Sequence, residues 1–113
     1  MRRPEPKFAS PNALLHAKQL GQAVRAARLA RNSTQEAMAE RARMSALTWL
    51  KIEKGEVSVA MGAWLSALEH TGLLDRLTQV HDQKSDVVGE QLRKDQLRKR
   101  ARGSDEAVKK FDF

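Results

Sequence analysis

The chain has 113 residues, 21 lysines and arginines against 14 acidic residues, a net charge of +7 and no cysteine. Its length suits one small domain with tails, since domains typically hold about 100–200 residues. The missing cysteine excludes disulfide frameworks, cysteine zinc sites and thiol chemistry, and no run approaches the ~18 apolar residues of a membrane helix or the core of a signal peptide, so the expected location is a reducing cytoplasm.

Prolines 4, 6 and 11 are the only prolines, so residues 1–13 read as a flexible arm and the remainder is free to be helical. From Asn12 to Arg31 the apolar positions Leu20, Val24 and Ala27 recur at the spacing of an amphipathic helix, and Asn32 suits a left-handed end cap. STQEAMAERA, residues 33–42, opens with Ser33 and Thr34 as caps and reads as a second, short helix burying Met38 and Ala42. MSALTWLKIEKG, residues 44–55, follows at once, with Ser45 as cap and Gly55 as stop. If Trp49 and Ile52 of this third helix face a core, then Ala46, Leu47, Leu50 and Lys51 face outward, an unusual amount of apolar surface for a small protein. A fourth helix runs through Met61, Leu65 and Leu68 to Gly72, and LLDRLTQV repeats the pattern with Leu73, Leu77 and Val80.

Five helices and no strand signal make residues 14–80 an all-α domain. Beyond it, residues 81–113 form a basic tail whose sparse apolar residues cannot bury a core of their own, so it is expected to be mobile unless something holds it. Within the tail, RKDQLRKRAR, residues 93–102, sets six bases against one acid. Such a charge balance points to polyanionic partners, nucleic acid first among them. His16, His70 and His81 lie at no metal-binding spacing. No cluster of titratable groups suggests catalysis, and neither an enzyme activity nor a cofactor is expected.

Two short helices joined by a tight turn, the second presenting side chains outward, form a helix-turn-helix. The run LGQAVRAARLARNSTQEAMAERARMSALTWLKIEKGE, residues 20–56, resembles the phage-repressor-type helix-turn-helix of the XRE regulators. Thr34 and Gln35 match the family's TQ pair, Ala39 its small residue in the second helix, and Ile52, Glu53, Lys54 and Gly55 its apolar-Glu-basic-Gly ending. With the next two helices the likeness spans roughly residues 17–80.

The resemblance implies a partly buried ion pair between Arg28 and Glu53, and a third helix that lies in the major groove. It puts Ala46, Leu47, Leu50 and Lys51 at base-facing positions, where apolar groups can read the thymine methyl. Gln35 would join them at the opening of the second helix, with Ser45 nearby and Arg41, Arg43 and Lys54 on phosphates. Two departures stand out: Arg43 occupies the place of the usual turn glycine, and Asn32 and Ser33 replace a glycine and an apolar residue.

Domains of this kind usually act as two-fold dimers on inverted-repeat operators, and Trp64, Leu73, Leu74, Leu77 and Val80 are the expected seam, although all five could instead complete a monomer core. GQAVRAARLARNSTQ, GEVSVAMGAWLSALEHTGLLDRL and LRKRAR further resemble HipB-like antitoxins. That likeness implies an autoregulating repressor that neutralises a HipA-like kinase toxin. Phe111 and Phe113 are aromatic anchors that suit docking, so residues 84–113 are expected to grip the toxin or bridge the dimer. A stand-alone regulator, or an adapter that uses the apolar face of the third helix on a protein, are the alternatives.

Overall fold

The computed structural model describes residues 8–111, and their side chains as far as Gly103. The chain divides into two compact units between Arg76 and Leu77, a few residues before the expected end of the domain. The described residues form helices and no strands. In the first unit these are α1 (Pro11–Ala30), α2 (Gln35–Arg41), α3 (Ala46–Glu53) and α4 (Met61–His70).

Local chemistry sets each start. Ser10, Thr34 and Ser45 accept hydrogen bonds from the backbone N–H groups of Ala13, Ala37 and Thr48, at 3.0, 3.0 and 3.1 Å, so each cap satisfies an orphan donor of the first turn. Pro11 is the first residue of α1. Its fixed φ and missing donor suit that position, so Pro11–Ala13 belong to the helix and not to the expected arm.

The four ends share one solution. After α1, α2, α3 and α4 the residues Asn32, Arg43, Gly55 and Gly72 take positive φ angles of 52°, 57°, 77° and 79°. Each is followed by a residue whose N–H reaches back into the last turn: Ser33 to Arg28, Met44 to Ala39, Glu56 to Lys51 and Leu73 to Leu68. These are Schellman closures, which satisfy orphan carbonyls and turn the chain sharply.

The core is formed by Val24, Met38, Ala39, Ala42, Trp49, Ile52, Ala67 and Leu68. Met38, Ala42, Trp49 and Ile52 are buried as the sequence implied. Two stripes shift. On α1 the buried seam is Gly21, Val24 and Arg28, while Leu20 is 37% exposed. On α4 it is Ala67 and Leu68, and Met61 is 76% exposed. Small residues let helices approach closely, and the seam follows them.

Gly21 shows how close that approach is. A Cβ there would lie 2.5 Å from the Ile52 carbonyl oxygen and 2.7 Å from that of Glu53, and a Cβ on Gly55 would lie 2.5 Å from Lys18 Cα. The two glycines press α1 against the end of α3.

The second unit holds a single α turn (α5, Thr78–His81), a short 3₁₀ segment (Gln83–Ser85) and α6, a 25-residue helix, Val87–Phe111. The expected fifth helix is thus a 3₁₀ turn, Leu74–Leu77, followed by α5. The tail differs more. Its described residues bury no core, yet Val87–Phe111 is helical, because Asp86 caps it through the Gly89 N–H at 3.0 Å and lysine, arginine, glutamine and leucine are strong helix formers. Arg93–Glu90 and Arg98–Asp95 ion pairs, at 2.7 and 3.8 Å, add i, i+3 support.

Alanine is the better helix former by about 1 kcal/mol, so an uncrowded Gly21 would be improved by replacing it. We expect the reverse: Gly21→Ala lowers the unfolding free energy in urea by about 1–3 kcal/mol, the usual cost of overpacking. An unchanged or higher midpoint would contradict the close crossing.

Candidate nucleic-acid interface

The inner side of α3 is held by one carboxylate. Glu53 Oε2 accepts from Arg28 Nε and Trp49 Nε1, both at 2.6 Å, while Oε1 accepts from Arg28 Nη2 at 3.1 Å and Gln35 Nε2 at 2.9 Å. The Arg28 and Glu53 side chains are only 9% and 3% exposed. Arg28 Nη1 also donates to the Ser33 carbonyl at 2.9 Å, tying down the turn before α2. The expected ion pair is therefore present, bidentate and buried. It has two further donors, Gln35 and Trp49, that the sequence did not reveal as its partners.

Burial pushes the Glu53 carboxyl up, but hydrogen bonds from Arg28, Gln35 and Trp49, with the Arg28 charge, outweigh it and hold the group below the ordinary carboxylate range. The hydrogen bond to Glu53 correspondingly raises Arg28, against its own desolvation.

On the outer side, Ala46 and Leu47 are exposed, Leu47 to 60%, whereas Leu50 and Lys51 are half-buried. Lys54 at the end of α3 and Arg41 and Arg43 before it are exposed. Arg41 leans on the Met38 sulfur at 3.9 Å. Ser45 is occupied as the α3 cap, and its hydroxyl also meets that of Thr48 at 2.9 Å. Gln35 is half-buried at the first position of α2. One of its amide hydrogens is spent on Glu53, which leaves a second N–H and the carbonyl oxygen.

Trp64, Leu73 and Leu74 are half-buried in the first unit, and Trp64 Nε1 reaches the Glu56 carbonyl at 3.4 Å. Leu77 and Val80 belong to the second unit, where Val80 is 81% exposed. The residues of the expected seam are thus split between the units. Among the described residues there is no cluster of potential metal ligands and no helix long and apolar enough to cross a membrane.

Residues 19–80 match the family model described as a helix-turn-helix domain. The chain belongs to the helix-turn-helix domain family. The match runs from α1 through α5 and takes in α2, the Arg43 turn and α3, the XRE-like helix-turn-helix of DNA-binding regulators. Neither the curated proteins nor the solved structures yielded a match.

A depressed folded-state pKa contributes stability that is complete above the ordinary carboxylate range and is lost as pH falls through the lowered value. Glu53→Gln presents an NH₂ group to a cluster of donors and leaves Arg28 buried without a counter-charge, which costs about 3–5 kcal/mol at neutral pH. Urea unfolding of both proteins as a function of pH tests this. The gap should narrow only below the ordinary carboxylate range, and a gap independent of pH would contradict the assignment.

Proposed function

We propose that the protein is a sequence-specific transcriptional repressor of the cytoplasm that binds DNA as a homodimer, with α3 of each copy in the major groove of one half of an inverted repeat. The observation that carries this reading is the outward face of α3, where Ala46 and Leu47 are exposed and Lys54 follows about two turns on, while the inner face is locked by Glu53. Leucine at a base-facing position suits the thymine methyl, the one apolar group at the edge of the major groove. Gln35 can offer an adjacent base its free N–H and carbonyl oxygen, the pattern that adenine accepts and donates. Lys51 adds a polar reader. Arg41, Arg43 and Lys54 supply phosphate contacts, which position the domain without specifying sequence, and the Ser45 hydroxyl lies beside them.

Dimerisation follows from the small number of base pairs that one short helix can read. Trp64, Leu73, Leu74, Leu77 and Val80 are the proposed seam, supported by the exposed apolar surface of Val80. The likeness of three stretches to HipB-like antitoxins supports a finer assignment, in which the dimer represses its own operon and neutralises a HipA-like kinase toxin. In that reading the end of the chain grips the kinase; Phe113 and the side chain of Phe111 lie outside the described residues.

The expected target is an inverted repeat in the gene's own promoter, with half-site centres about 34 Å apart. In gel-shift assays Leu47→Ala or Leu50→Ala should lower affinity for that site by about five- to tenfold, near 1 kcal/mol of discrimination, and leave random DNA unaffected. Replacing the contacted thymines with uracils should reproduce the loss. If discrimination survives both changes, the apolar face serves a protein partner instead, and an adapter is the better description.

Deleting residues 103–113 separates the two roles. Operator binding should persist while capture of the co-expressed kinase weakens in pull-down. Full capture by the truncated chain would remove the tail from the partner interface and favour a stand-alone regulator.

A further inference from the structure

The basic run that the helix-turn-helix does not use lies on α6, in the second unit. At 100° per residue, Lys94, Arg98 and Arg102 follow one another along a single side of that helix, about 6 Å apart along its axis, with Lys99 about 60° further round from Arg102. Arg98, Lys99 and Arg102 border one shallow depression together with Asp95. Asp95 is the one acid in this stripe, and it pairs with Arg98 at 3.8 Å. Lys94, Lys99 and Arg102 make no ion pair among the described residues and are exposed.

No apolar seam runs with the stripe. Val88 and Leu92 lie to either side of the Lys99 position and Leu97 nearly opposite them, all more than half exposed, so they form no continuous apolar face. A protein groove or the plane of a bilayer would require a continuous apolar face. What α6 does offer is a rigid row of cations at nearly regular spacing, which is complementary to a polyanion of regular charge.

We propose that the Lys94–Arg98–Lys99–Arg102 stripe of α6 is a second, sequence-independent contact to the phosphate backbone of duplex DNA. Both units lie on one chain, so a second contact to the same duplex is intramolecular, and weak contacts suffice to prolong binding. The inference rests on the DNA-binding reading of α3 but invokes separate residues and a separate observable.

The test is the salt dependence of binding to a promoter duplex and to a random duplex, for the full chain and for the Lys94→Gln, Lys99→Gln, Arg102→Gln triple variant. Glutamine keeps helix propensity, and circular dichroism checks that α6 persists. Each phosphate neutralised contributes about 0.9 to the slope of log affinity against log salt. The variant should therefore lose about 2–3 from its slope on both duplexes, and the ratio of the two proteins' affinities should change about 40-fold between 50 and 200 mM salt. Preference for promoter over random DNA should not change. A charge-retaining variant, Lys94→Arg with Lys99→Arg and Arg102→Lys, should keep the full slope.

Equal slopes for the full chain and the glutamine variant would overturn the proposal. So would equal slopes accompanied by loss of binding to phosphatidylserine vesicles, which would assign the stripe to a membrane surface. If the slopes differ as expected but neither protein prefers the promoter, the stripe stands and the operator-reading role of α3 falls.

Discussion

Three helices of the helix-turn-helix unit, α1, α2 and α3, meet at the Glu53 carboxylate. Its two oxygens accept four hydrogen bonds, from Arg28 on α1, Gln35 on α2 and Trp49 on α3 itself. A carboxylate so deeply buried is tolerable only because its lone pairs are filled and its charge is matched. Replacing a buried pair with apolar residues is often neutral or stabilising, so net stability is a poor account of why such a pair is there. Geometry is the better one. Three helices that share one acceptor cannot shift independently, and the angle at which α3 presents its outer face is set by the group that anchors its inner face.

The backbone works to the same end. Gly21 and Gly55 bring α1 within van der Waals range of the end of α3, and the sharp closures at Asn32 and Arg43 join α1 to α2 and α2 to α3 by short turns. Arg43 holds a left-handed conformation that glycine would adopt without strain, at a cost of about 1 kcal/mol. In return the turn carries an exposed cation next to Arg41 and the start of α3, which the proposed phosphate contact would use and a glycine could not supply.

Much of this could be read from the residues, for identifiable reasons. Caps at Thr34 and Ser45, the stops at Asn32 and Gly55 and the buried Trp49 and Ile52 are local or periodic signals. The Arg28–Glu53 pair joins positions 25 apart in sequence and was accessible only through the family resemblance. Gln35 and Trp49 as further partners of Glu53 depend on how α1 and α2 cross, which no local pattern encodes. Periodicity also favoured large residues on α1 and α4 and so chose Leu20 and Met61, where packing had chosen Gly21 and Ala67. A glycine in the middle of an otherwise good helix was the available sign of that close crossing. For the tail, low hydrophobicity argues against a core but says nothing of helix content, which α6 draws from residue propensity and short-range ion pairs.

The Arg28–Glu53 interaction is the constraint that fixes α3, and a double-mutant cycle measures that directly. Unfolding free energies of the wild type, Arg28→Ala, Glu53→Ala and the double variant at neutral pH should be strongly non-additive, with each single change costing nearly as much as both and a coupling energy of about 2–3 kcal/mol. Additive losses, with a coupling within about 0.5 kcal/mol of zero, would mean that the two groups stabilise the fold independently and that something else sets the position of α3.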